Sequence, residues 1–156
     1  MKNNHFTLVE LLAVVVIITI LATILIGGVT YAMKKADVSK TQAQLQKLEM
    51  ALEAFKAEKG YYPPCASATD VQFVIDSSVE KLQLGSTKFS MQAKSGKLFI
   101  EFPFETTAKD YTDAWDNAFQ YKCPGAHNPQ KYDLWSKGED GKDSTASEKE
   151  DDITNW

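Results

Sequence analysis

The sequence predicts an α+β fold: one long N-terminal α-helix packed on a small antiparallel sheet, with an acidic C-terminal loop. Three observations carry that expectation. First, no charged residue occurs between Leu11 and Met33, and an apolar run of about 20 residues at 1.5 Å rise covers the ~30 Å hydrocarbon core of a bilayer. Second, Leu45, Leu48, Leu52 and Phe55 follow at intervals of three and four, with Gln, Lys and Glu on the other faces, the signature of an amphipathic helix with one apolar stripe. Third, the chain beyond Pro63-Pro64 breaks into short apolar runs separated by Gly and Pro, as in a small sheet joined by turns.

The expected organisation is a polar leader at 1–5, a transmembrane or helix-packing segment at 6–33, and an outer globular domain at 34–156 whose residues 34–59 form the amphipathic half of the same helix. Gly27-Gly28 marks a predicted interruption, because each glycine costs roughly 1 kcal/mol in a helix. Gly60 is the predicted stop, with Lys56 and Lys59 in the last turn and the proline pair barring continuation. Asp70 is placed as the cap of a short helix through Leu82, with Val71, Val74, Ile75, Val79 and Leu82 as its apolar positions. A hairpin is expected from 88–93 and 97–102 around Ser95-Gly96, a third strand over 119–123, and a polar loop over 138–152.

Glu10 is the anomaly in the apolar segment. A carboxylate at the edge of a membrane helix is costly and requires a partner. The apolar run is also longer than the 7–15 residues of an ordinary cleaved signal core, and no small-residue cleavage site closes it.

Charge is unevenly placed. Of the net −4 on 156 residues, the stretch from Asp133 to the end contributes −5, leaving the remainder at +1. All 17 basic residues are lysine. Without arginine, the side chain most used for bidentate recognition of bases and phosphates is missing, so no nucleic-acid role is expected. Neither His5 nor His127 has a nucleophile motif near it, and no P-loop or G-x-G-x-x-G is present, so no enzymatic activity is expected. Cys65 and Cys123 lack C-x-x-C or Cys/His spacing. In an oxidising compartment they would form a disulfide; the alternative is two buried free thiols. The acids Asp133, Glu139, Asp140, Asp143, Glu148, Glu150, Asp151 and Asp152 admit two readings, a solvated loop or an oxygen cage for a hard cation such as Ca²⁺.

The segment Phe6-Thr7-Leu8-Val9-Glu10-Leu11 followed by an apolar helix resembles the N-terminus of type IV prepilins and type II secretion pseudopilins. Further motifs are similar to those of the major pseudopilin: Gly60-Tyr61-Tyr62-Pro63 at the helix end, Asp113-Ala114-Trp115-Asp116-Asn117-Ala118-Phe119-Gln120-Tyr121, then Tyr132-Asp133-Leu134-Trp135-Ser136-Lys137-Gly138-Glu139-Asp140-Gly141, and the closing Asp152-Ile153-Thr154-Asn155-Trp156. The resemblance implies a type IV pilin-like fold, cleavage by prepilin peptidase between His5 and Phe6, N-methylation of Phe6, and assembly into a homopolymer. Glu10 would set the register between subunits by pairing with the Phe6 ammonium of a neighbour. It also implies a calcium ion held by Asp140 and Asp152 with backbone oxygens of Leu134 and Lys137. His5 stands where the family has glycine, and residues 142–147 lack the family's glycine pair.

The function so implied is that of a structural subunit of a type II secretion pseudopilus. It would be single-pass in the inner membrane with its C-terminal domain in the periplasm, and would work with minor pseudopilins and an inner-membrane secretion platform to export folded proteins. The alternatives are a type IV or minor pilin used for adhesion, motility or DNA uptake, and a membrane-anchored periplasmic binding module that never polymerises.

Overall fold

A computed structural model describes residues 7–76, 79–101, 108–143 and 151–156. The chain divides into two compact units, Met1–Ala36 and Asp37–Trp156. Helix α1 (Leu8–Lys59) contributes to both, and the backbone remains helical at Gly27-Gly28, where an interruption was expected. In the first unit the large apolar side chains from Leu8 to Leu21 are 48–81% exposed. The hydroxyls of Thr19 and Thr23 donate to the carbonyls of Val15 and Ile20, so neither is left unpaired in apolar surroundings.

The second unit has a single core. Leu45, Leu48, Leu52 and Phe55 of α1 are at most 4% exposed, and their stripe meets Val71, Phe73, Leu82, Met91, Phe119 and Leu134 from the sheet and its loops. The predicted stop is correct: Gly60 takes φ +87°, and its N–H donates to Lys56 O at 2.8 Å, as a left-handed C-terminal cap requires.

The sheet has seven strands among the described residues: β1 (Cys65–Asp76), β2 (Val79–Leu84), β3 (Thr87–Ser90), β4 (Ala108–Asp110), β5 (Gln120–Cys123), β6 (Asp133–Ser136) and β7 (Ile153–Thr154). Every pairing is antiparallel. β1 is the hub. Along one edge it pairs with β5 and then β4, along the other with β2, and the order continues β3-β2-β1-β5-β6-β7. The expected helix over 70–82 is therefore replaced by β1 and β2. Phe73, which the helical stripe left out, is fully buried. It shares a face with Val71 at the period of two, and the β-branched residues of this stretch favour the pleat. The expected hairpin is partly present: Ser95-Gly96 turns the chain and Gln92 bridges Leu98, but Thr87–Ser90 pairs with β2 rather than with the residues after the turn. The third strand is β5. Strand β6 had not been anticipated.

Candidate functional site

Two regions bear on function: the head of α1 in the first unit, and the loops that join the strands in the second. At the head of α1 the chain forms a capping box. Thr7 N–H and Oγ1–H both donate to Glu10 Oε2 at 2.8 Å, and Glu10 N–H donates to Thr7 Oγ1 at 3.3 Å. Two otherwise orphaned donors are satisfied, and a negative charge is placed at the positive end of the helix dipole. The Thr7-x-x-Glu10 spacing is the sequence signature of this box, so Glu10 has a partner within its own chain as well as the one expected on a neighbour. His5 and Phe6 lie outside the described residues.

In the second unit, two buried carboxylates organise the loops. Asp113 is 3% exposed. Its Oδ1 accepts the N–H groups of Trp115 and Asn117, both at 2.9 Å, and its Oδ2 accepts Ser136 Oγ–H at 2.6 Å. Ser136 Oγ in turn accepts Gly138 N–H, and Asn117 Nδ2 donates to Gly138 O at 2.7 Å. Ala114 N–H reaches back to Thr41 Oγ1 on α1 at 3.1 Å. Residues 113–117 therefore connect helix, sheet and acidic loop. Asp133, 2% exposed, accepts backbone N–H from Ala126 (2.6 Å), His127 (2.9 Å) and Asn128 (2.9 Å). Gly125 is needed there because a Cβ would lie 2.4 Å from Asp133 Oδ1.

The acids grouped in the sequence thus divide among separate tasks. Asp133 is committed to the N–H groups of residues 126–128. Asp143 accepts the Trp135 indole N–H at 2.9 Å and pairs with Lys137 Nζ at 3.4 Å. Asp151 Oδ2 accepts Asp140 N–H at 2.9 Å, and Asp140 Oδ1 accepts Lys142 N–H at 2.8 Å. Gly138 packs tightly on Asp151, whose carbonyl oxygen would be 2.4 Å from an added Cβ. The turn carrying Asp140 is thereby held against Asp151, next to Asp152, whose Oδ1 is shielded from solvent. These donors are hard oxygens, the type calcium takes, but among the described residues no group of three or more His, Cys, Asp or Glu side chains gathers as a metal site. Leu134 O accepts Asn155 N–H in the sheet and keeps a second lone pair. Glu148 and Glu150 lie outside the described residues.

The closing residues fasten the edge of the sheet to α1. Leu134 N–H donates to Asn155 Oδ1 at 2.9 Å, and the Asn155 side chain also bonds to Glu49 on α1. Burial pushes the Glu49 carboxyl up, opposed by that bond and reinforced by Glu53. Glu53 is also opposed by burial, yet Tyr62 Oη–H and Lys131 bring it below the usual carboxylate range. Cys65 and Cys123 are free thiols, placed opposite each other where β1 meets β5. Burial pushes both thiols up.

The Type II secretion system (T2SS), protein G family matches residues 89–156. The type II secretion system core protein G of Escherichia coli K12 is 32% identical over 157 residues, taking in 99% of this chain and 92% of that protein. The chain belongs to this family. The core protein G of Pseudomonas aeruginosa is 31% identical over 155 residues, 99% of this chain and 96% of that one. The crystal structure of the major pseudopilin from the type 2 secretion system of enterohaemorrhagic E. coli covers 81% of this chain and 92% of its own, with a TM-score of 0.49 and 23% identity; the assignment rests on the sequence relatives. Both family regions singled out in the sequence, at 113–121 and 132–141, carry a buried carboxylate of the two described above, Asp113 and Asp133 respectively.

Proposed function

We propose that the chain is a structural subunit of a type II secretion pseudopilus that polymerises through the apolar half of α1 and has no catalytic role. The observation that carries this reading is the exposure of that half in a member of the protein G family: the apolar span of α1 is 0% buried within the chain, so lipid or other copies of the helix must cover it. The helix serves first as a single-pass inner-membrane anchor, with the C-terminal domain in the periplasm, and afterwards as filament core. Prepilin peptidase releases residues 1–5 by cutting between His5 and Phe6, and Phe6 is then N-methylated. Minor pseudopilins and the inner-membrane platform are its companions.

In this reading Glu10 sets the register by taking the Phe6 ammonium of a neighbour. The capping box does not prevent this, because a carboxylate offers about four acceptor sites. A calcium ion held by the Asp140 and Asp152 carboxylates, with the backbone oxygens of Leu134 and Lys137, would draw the two ends of the acidic loop together.

Glu10→Gln tests the assignment, because glutamine preserves a capping box while removing the charge. In cells relying on the variant, we expect monomer in the membrane at normal level but no filaments and no secretion, as for Glu10→Ala. Filaments at wild-type level from Glu10→Gln would reduce Glu10 to a helix cap and remove the register role. Wild-type secretion from both variants would favour a non-polymerising anchored module.

A further inference from the structure

We propose that Cys65 and Cys123 are an oxidisable pair that closes into a cross-strand disulfide between β1 and β5. The two residues are register partners in an antiparallel ladder, so their side chains leave the same face of the sheet. Their Cα atoms are roughly 4.5–5.5 Å apart by ladder geometry, inside the 4.4–6.8 Å range that a disulfide spans. These are the only two cysteines in the chain, so no competing intramolecular bridge exists. Both are half-buried, which leaves a path for an oxidant. In the thiol form each S–H has its own acceptor, Ser67 O at 3.1 Å for Cys65 and Lys131 O at 3.5 Å for Cys123. Closure therefore exchanges two weak hydrogen bonds for one covalent bond by side-chain rotation. The register shift between Cys65 and Thr69, and the exposure of residues 66–68, give the β1 end of the ladder room to adjust.

The oxidant is a disulfide, either a protein disulfide of the oxidising compartment or glutathione disulfide. One cysteine, as thiolate, attacks it, expelling one thiol and forming a mixed disulfide. The other cysteine then attacks its own partner's sulfur, expelling the second thiol. Two protein thiols lose two protons and two electrons in total, and one disulfide is reduced to two thiols. The bridge would tie the residues that follow the helix stop to the end of β5, next to residues 125–128 that wrap Asp133, and would close a span of about 58 residues.

The occurrence of this step in the cell rests on the proposed periplasmic placement, whereas its test does not. Purified full-length chain in detergent is incubated with glutathione disulfide, alkylated and analysed by peptide mass mapping, with melting followed in parallel. The expected result is a monomer lacking two hydrogens, a linked Cys65–Cys123 peptide pair, and melting on the order of 10 °C above that of the reduced chain. The double variant Cys65→Ser/Cys123→Ser should melt with the reduced chain and ignore the oxidant. Two alkylated cysteines in the oxidised, folded chain, a bridge formed only between chains, or a melting temperature indifferent to oxidation would each overturn the proposal.

Discussion

Replacement of Asp113 is the sharpest test of how the loops are held. The carboxylate is almost fully buried and accepts three hydrogen bonds, from Trp115 N–H, Asn117 N–H and Ser136 Oγ–H. Bonds to an ionised acceptor are worth about 1.5–3 kcal/mol each, and orphaned donors add a desolvation cost wherever water cannot reach them. Residues 114–117 are only partly buried, so rehydration returns some of this. Asp113→Ala should cost about 4 kcal/mol, or about 15 °C of melting temperature for a unit of about 120 residues. Asp113→Asn keeps an acceptor for both backbone donors and loses the charge, so it should cost about 1–2 kcal/mol, roughly 5 °C. Thermal melting of the full chain in detergent, followed by far-UV circular dichroism, measures both. If Asp113→Ala melted within about 3 °C of wild type, the carboxylate would not be the organiser described here. An asparagine variant as damaged as the alanine variant would shift the weight from acceptor geometry to charge.

Alkaline stability should report on Tyr62, whose hydroxyl is pushed up to about 12 by burial and by the Glu53 carboxylate beside it. The folded chain then holds a proton that the unfolded chain releases near pH 10, so this contribution is complete below pH 10 and is lost as pH climbs to 12. Its slope is at most about 1.4 kcal/mol per pH unit. Tyr62→Phe should flatten urea-midpoint profiles in that window without abolishing the slope, because burial also pushes Tyr111 up to about 12. An unchanged profile would refute the assignment. Gly125→Ala forces a Cβ to 2.4 Å from Asp133 Oδ1 and 2.8 Å from Asn128 O, and should cost about 2 kcal/mol; wild-type melting would show that the loop can open around Asp133 at no cost. For calcium, at 100 times Kd the ion should add about 2.7 kcal/mol, visible as a fall in melting temperature on chelation that Asp140→Ala removes. Equal melting of wild type and Asp140→Ala, with and without calcium, would leave the acidic stretch an ordinary solvated loop.

The helix was legible because a period near 3.6 with leucine and phenylalanine on one face has few other meanings. Its stop at Gly60 was legible because only glycine readily supplies φ +87° there. Residues 70–82 misled because Val71, Val74, Ile75 and Leu82 satisfy helical spacing while Val71 and Phe73, or Leu82 and Leu84, equally satisfy the spacing of two; the β-branched content should have decided it. Strand β6 was hidden by its own polar residues. Asp133 is buried because it accepts N–H groups from the preceding loop, and Ser136 because its hydroxyl donates to Asp113, distant in the chain, and no local pattern announces such a partner. The same blindness made Asp133 look like one more member of an acidic cluster. At the head of the helix, Glu10 stands out as a carboxylate at the edge of an apolar run, whereas its hydrogen bonds to Thr7 are written only in the Thr7-x-x-Glu10 spacing.

The place of β7 sets the order of events during synthesis. Ile153–Thr154 supplies the outer strand beside β6, and Asn155 fills both Leu134 N–H and a contact with Glu49 on the helix. A ribosome adding 5–20 residues per second reaches these positions on the order of ten seconds after completing the apolar segment. The greasy half of α1 is therefore available to its surroundings well before the sheet can be finished. With the helix acting as the proposed anchor, its commitment would come first and completion of the second unit last, so each new subunit would spend its most vulnerable seconds tethered rather than free.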